Sequence, residues 1–255
     1  METNIKIIRA LWGNSEETIS EIPSIPIYQN QVVFVWGGNN EKILRERGYD
    51  VIPMEDKIPD IYNNYEGRFF RKLLALDEGL KRYGEVILLD WDCYILRELD
   101  NNFYKYLSEK PIQCPLYAQP KNIYESWDES FPADSKDKMS FYSLCEKNFN
   151  KYSWKIDDYL VTPNFGFVYS RDINLGKNLI DISNKYNLNG CIEEHAMYLY
   201  SNCEIDEYIE KYQPHFVKGV SDTMTNTNFY ISNVQKRFNE YVESKIEIDL
   251  YLEHM

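Results

Sequence analysis

The feature that most restricts the fold is the segment from residue 67 to residue 89. From Gly67 to Tyr83 apolar residues fall at 69, 70, 73, 74, 76, 80 and 83, a single helical stripe. Gly84 ends that helix, and Val86-Ile87-Leu88-Leu89 follows without a polar residue. A strand with water on one face alternates; a strand apolar on both faces must be covered on both, as in the middle of a parallel sheet. The chain before it repeats the pattern. Ile5 to Leu11 and Val32 to Trp36 read as buried strands, each followed by Gly and Asn where the chain turns. Asn39 or Asn40 is placed to cap a helix running through Arg47, closed by Gly48, and Tyr49 to Ile52 is a third strand stopped by Pro53. Strand, helix, strand in this order predicts an α/β fold: a mostly parallel central sheet flanked by helices, with right-handed crossovers.

The second half is less regular. Ile112 to Ala118 and Phe165 to Tyr169 are predicted strands, residues 120 to 138 an exposed loop, and 174 to 186, 193 to 200 and 229 to 252 helices. No internal repeat or low-complexity linker divides the 255 residues, so a single domain with an irregular C-terminal lobe is expected.

Charge narrows the partners. Against 28 Lys and Arg stand 41 Asp and Glu, a net charge of -13, and such a surface repels a nucleic acid or an anionic bilayer. A nucleotide is still admissible, because a divalent cation offsets phosphate charge locally. No uninterrupted apolar run is long enough for a membrane span, and the charged first residues do not read as a signal peptide. The five cysteines are scattered, without Cys-x-x-Cys spacing, which fits reduced thiols and a cytoplasmic location.

The chemistry is concentrated where the apolar strand stops, at Leu88-Leu89-Asp90-Trp91-Asp92-Cys93. On an extended chain residues two apart face the same side, so Asp90 and Asp92 are expected together, with Trp91 pointing away. Paired carboxylates of this kind suit a hard divalent metal, Mn²⁺ or Mg²⁺, with positions left for phosphate oxygens. The C-terminal edge of a parallel sheet is also where α/β proteins bind ligands. The alternative is a polar turn with both carboxylates solvated.

The order Arg68-Phe-Phe-Arg-Lys-Leu-Leu-Ala-Leu, then Tyr83-Gly-Glu-Val-Ile-Leu-Leu-Asp-Trp-Asp, resembles the donor-binding half of GT-A fold glycosyltransferases, glycogenin-like and other small nucleotide-sugar enzymes among them. The resemblance implies a nucleotide-binding half over residues 1–100 and an acceptor and sugar half over 101–255. It implies a nucleotide-sugar donor, a UDP-sugar favoured, and a glycan or other hydroxyl acceptor. It gives Asp92 direct metal binding, hence a part in catalysis, and Asp90 a contact to metal or ribose. It extends a donor-binding role to Arg68, whereas Arg71 and Lys72 are read as a solvated helix face. At the end of the first strand, Leu11 and Trp12 are expected to flank the base, although Trp12 serves equally well as core.

The third metal ligand implied by the resemblance is His215, in Gln213-Pro214-His215-Phe216-Val217-Lys218-Gly219, with Lys218 neutralising the diphosphate. Here the sequence departs from the family pattern, since Gly follows the His by four positions and Ser221 replaces a downstream Lys. Asn164 and Gly166, in Pro163 to Tyr169, resemble the strand that closes the sugar side of the pocket. Glu193-Glu194-His195-Ala196 resembles an acidic motif at a helix start. Glu194 is the preferred base for an acceptor hydroxyl, with Asp157 and Asp158 as alternatives, although one such acid is explained by the helix dipole alone. Two other classes compete: a phosphatase of the haloacid dehalogenase type, which also ends a strand in Asp-x-Asp, and a non-catalytic nucleotide-sugar binding module.

Overall fold

A computed structural model of the chain describes residues 5–13, 27–55, 57–59, 69–91, 93–95, 99, 101–108, 111–114, 116–120, 155–156, 159–163, 165–186, 188, 192–200 and 252–254. Its strands are β1 (Lys6–Leu11), β2 (Gln31–Val35), β3 (Val51–Pro53), β4 (Val86–Leu89), β5 (Cys93–Ile95), β6 (Ile112–Gln113), β7 (Leu116–Pro120), β8 (Lys155–Ile156), β9 (Tyr159–Pro163), β10 (Phe167–Ser170) and β11 (Leu252–His254). Its helices are α1 (Gly38–Glu46), α2 (Phe70–Tyr83), α3 (Asn101–Ser108), α4 (Leu175–Tyr186) and α5 (Ile192–Leu199).

Six strands form the central sheet in the order β3-β2-β1-β4-β10-β6. The first four are parallel, with Ile8 facing Val32 on one side and Leu88 on the other, and β10 runs antiparallel to β4. The α/β expectation therefore holds, with a mostly parallel sheet. Because side chains alternate across a strand, Ile8, Ala10, Val32, Phe34, Val86 and Leu88 turn to one face, where Phe70, Leu73, Leu76 and Leu80 of α2 cover them. Ile7, Ile87, Leu89 and Phe167 turn to the other face, under Phe103 and Leu107 of α3; Leu11, Val33 and Val35 lie beside Leu44 of α1. Burying each such side chain contributes roughly 1.5–3 kcal/mol relative to leaving it in water. Helix α4 packs so closely on α2 that a Cβ at Gly176 would overlap the backbone of Asp77.

Two segments differ from expectation. The single strand predicted over 112 to 118 is two: β6 pairs with β10 in the central sheet, and β7 pairs with β9 in a separate three-stranded sheet. Pro115 stands between them, and without an N–H it cannot continue a ladder. Leu252, predicted as the end of a helix, starts β11, which pairs with β5; the free edge of β5 overrides the local helical pattern. Among the described residues no helix is long and apolar enough to cross a membrane.

Candidate active site at the end of the central strand

Strand β4 ends where its pairing with β1 ends, although β1 itself runs on to Leu11 beside β2. Its register with β1 ends at Ile8 opposite Leu88, and the Asp90 N–H makes a further bond to the Gly166 carbonyl at 2.9 Å. The chain then turns: Cys93 N–H donates to the Asp90 carbonyl at 3.1 Å. Asp90 thus opens a turn at the end of the strand; the second aspartate of the expected pair, Asp92, lies outside the described residues.

Trp91 is tied to the first strand and to the core beside it. Its indole N–H donates to the Ala10 carbonyl at 2.6 Å, and the ring meets Tyr49 edge-on, with centroids 6.3 Å apart. It packs on the cluster of Leu11, Val33 and Val35.

The Asp90 carboxylate meets a lysine from α2. Lys72 Nζ donates to Asp90 Oδ2 at 2.6 Å and lies 3.1 Å from Glu193 Oε1 on α5. The Lys72 side chain is only 9% exposed, which overturns its reading as part of a solvated face. Burial alone would lower its pKa, but the charges of Asp90, Glu193 and Glu194 outweigh burial and hold the ammonium well above the usual lysine range. Glu193 shifts upward: burial dominates, Lys72 opposes it, and the nearby Asp90 adds to it. One ammonium is shared by two carboxylates. Glu193 Oε2 has no hydrogen-bond partner among the described residues.

Glu194 turns to the neighbouring strand. Its Oε1 accepts a hydrogen bond from Phe165 N–H at 3.2 Å, one residue before Gly166. Glu194 also raises the pKa of the Cys114 thiol, which burial has already pushed up. The Gly166 carbonyl accepts from both Asp90 N–H and Cys93 Sγ, the latter at 3.0 Å. Asp90, Gly166, Glu193 and Glu194 are thus linked around the end of β4.

The end of β1 lies beside this group. Leu11 is 1% exposed and belongs to the core, so its side chain does not flank a base, correcting that expectation; the residue gives its carbonyl to Trp36 N–H at 2.9 Å. Trp12 is partly buried, packed on the main core and edge-on to Phe69 at 6.1 Å. Beyond it Gly13 takes a left-handed φ of 101° that favours glycine. The Asn40 amide ties the strand ends together, donating to the carbonyls of Gly13 (3.2 Å) and Trp36 (3.0 Å).

Arg68, Asp92, Asp157, Asp158, Asn164, His215 and Lys218 lie outside the described residues. Among the described residues no group of three His, Cys, Asp or Glu side chains is arranged to hold a metal. Asp90, the one implied metal ligand described, is 22% exposed, and Lys72 occupies only its Oδ2. A partly exposed carboxylate whose second oxygen has no hydrogen bond among the described residues suits one position on a hard cation.

Sequence reasoning missed Arg9, read Lys72 as solvated and ranked Glu193 below Glu194. Position 72 is three residues after Phe69 and four before Leu76, so it lies on the apolar stripe, and a cation there calls for a buried partner. Arg9 interrupts a strand apolar on both sides and carries the same signal.

Compared by sequence, the chain matches no protein-family model and no curated protein. Solved structures do match it. The apo form of mouse xyloside xylosyltransferase 1 is 12% identical, covers 98% of this chain and 97% of its own, and superposes with a TM-score of 0.50. An active-site mutant of LgtC is 12% identical over 98% of this chain and 86% of its own, with a TM-score of 0.49. GlyE of Streptococcus pneumoniae TIGR4 is 12% identical over 99% of this chain and 54% of its own, with a TM-score of 0.45. Together with the sheet order and its antiparallel β10, the xylosyltransferase match defines the class: the chain has the GT-A glycosyltransferase fold. At this identity the likeness concerns fold alone.

Proposed function

We propose that the protein is a metal-dependent glycosyltransferase, moving a sugar from a nucleotide-diphosphate sugar, a UDP-sugar favoured, to a hydroxyl on a glycan or other acceptor. One observation carries the reading: at the C-terminal end of the central parallel strand, the partly exposed Asp90 has one carboxylate oxygen pinned by Lys72, and among the described residues no hydrogen bond takes the other. The crevice beyond the carboxyl ends of parallel strands is where α/β sheets bind nucleotides.

Asp90, Asp92 and His215 would hold Mn²⁺ or Mg²⁺, which supplies electrostatic stabilisation of a departing diphosphate. Lys72 fixes Asp90 in advance, so the carboxylate need not reorganise when the donor arrives. Arg68 and Lys218 are assigned to the donor phosphates, Trp12 to the base, and Asn164 and Gly166 to the sugar. Glu194 is assigned to the acceptor hydroxyl as general base. It sits in the first turn of α5, where the helix dipole favours its charged, proton-accepting form.

A panel of nucleotide sugars, each with and without Mn²⁺, tests the reading by thermal shift. A true donor at one hundred times its dissociation constant stabilises the fold by about 2.7 kcal/mol. Stabilisation that needs both donor and metal, followed by transfer to an acceptor, is expected. Phosphate release from simple esters would move the assignment to the phosphatase class, and tight donor binding without hydrolysis or transfer would move it to a binding module.

A further inference from the structure

On β1, between two apolar clusters, stands a guanidinium with no exposure at all. Arg9 shares its sheet face with Ile7 and Leu11; the cluster around Ile7, Ile87 and Leu89 lies on one side and that around Leu11, Val33 and Val35 on the other. Its Nη2 donates to the Cys93 carbonyl at 2.8 Å, its Nε to Gln31 Oε1 at 3.0 Å, and its Nη1 to the Asp90 carbonyl. The Tyr28 and Trp91 rings lie 6.0 and 5.5 Å from its central carbon. Among the described residues no carboxylate forms a salt bridge with it.

Burying a charge is costly even with the Asp90 carboxylate near enough to favour it, and an apolar side chain of similar volume commonly stabilises a core better. What Arg9 does instead is geometric. Asp90 and Cys93 are the two ends of the turn that carries both aspartates, and one rigid guanidinium holds the carbonyls of both. The planar fork suits this, because its donors have a fixed spacing that a lysine cannot reproduce. Trp91 fastens the middle of the turn to the next carbonyl of the same strand, that of Ala10.

We infer that Arg9 is a positioning residue: from its buried place on β1 it clamps the Asp90–Cys93 turn by the carbonyls at both ends, so that the Asp90 carboxylate is set for a divalent cation and a diphosphate before either binds. The inference rests on the transferase reading above. A displacement of about 1 Å at a reacting site is enough to lower turnover about a hundredfold.

The test uses the full chain as wild type, Arg9→Lys and Arg9→Met, each checked for folding by circular dichroism and assayed well below its melting temperature. The probes are Mn²⁺ and the nucleotide sugar that stabilises the wild type. In folded variants we expect kcat to fall about a hundredfold and half-saturating Mn²⁺ to rise, with the acceptor KM unchanged. Folded variants with wild-type Mn²⁺ dependence and kcat overturn the inference alone. Failure of both variants to fold also overturns it, assigning Arg9 to stability. A wild type that answers to no nucleotide sugar with Mn²⁺ overturns the transferase reading, and this inference with it.

Discussion

Lys72 Nζ stands 2.6 Å from Asp90 Oδ2 and 3.1 Å from Glu193 Oε1, joining the first turn of α2 to the end of β4 and the first turn of α5. A cation in the first turn of a helix opposes the helix dipole, and a buried one also loses its hydration. The two carboxylates offset both costs. Glu193, in the first turn of its own helix, lies where the dipole favours a negative charge. The arrangement fixes Asp90 at the sheet edge more tightly than a solvated aspartate would be.

Removing the lysine head should therefore be felt in stability as well as in activity. Lys72→Met leaves Glu193 buried without its cation, and breaking such a pair costs about 3–5 kcal/mol. Urea unfolding measures it. Adding Glu193→Gln to Lys72→Met should recover much of the loss; a single-variant cost under about 1 kcal/mol would be the value of an exposed pair and would contradict this arrangement.

Contact between α2 and α4 gives a second expectation. Gly176→Ala forces its new methyl into the Asp77 backbone, and overpacking of this kind costs about 1–3 kcal/mol. Gly38, with open space around its Cβ position, is the control: Gly38→Ala should be neutral or slightly stabilising, since alanine is the better helix former. The two melting temperatures, side by side, decide it.

At alkaline pH the tyrosines on the α4 and α5 side come into play. Burial, followed by the Asp172 carboxylate, pushes Tyr200 up to about 12, and its hydroxyl donates to Asp172 Oδ2 at 3.2 Å. In the unfolded chain a tyrosine titrates near about 10. Between those values the unfolded state binds fewer protons than the native state, so stability is complete below pH 10 and declines as pH rises toward 12. Tyr200→Phe should lose less stability than wild type across that window, while being weaker at neutral pH by one hydrogen bond, about 1 kcal/mol. Parallel denaturation curves for the two chains would contradict the shift.

Asp92→Asn addresses the chemistry directly. It removes a negative charge and an oxygen donor but keeps the side-chain shape. Mn²⁺-dependent transfer should disappear while the melting temperature without ligand stays within about 2 °C of wild type, the scale of a change below 1 kcal/mol in a chain of this size. Undiminished turnover would remove Asp92 from the site.

What could be read from the sequence was whatever depends on local pattern. Strands β1, β2 and β4 announce themselves because they are apolar on both faces, and α2 because its stripe has helical period. The turn at Asp90 could not be read this way. It exists because Arg9 and Trp91 make hydrogen bonds across 81 or more residues of chain, and alternation along one strand carries no information about such bonds. The burial of Leu11 was legible in its strand; assigning it to a base gave the strand end priority over its apolar run. Lys72 was misread for the opposite reason: its charge was weighed ahead of its place on the apolar stripe.

The most direct test of the central claim is isothermal titration of a UDP-sugar into the full chain, with Mn²⁺ present and then with the metal chelated, for wild type and Asp92→Asn. The account predicts binding by the wild type with Mn²⁺, weakened by more than about tenfold on chelation and in the variant. Equal affinity in all conditions, or no binding to the metal-loaded wild type by any nucleotide sugar, would contradict it.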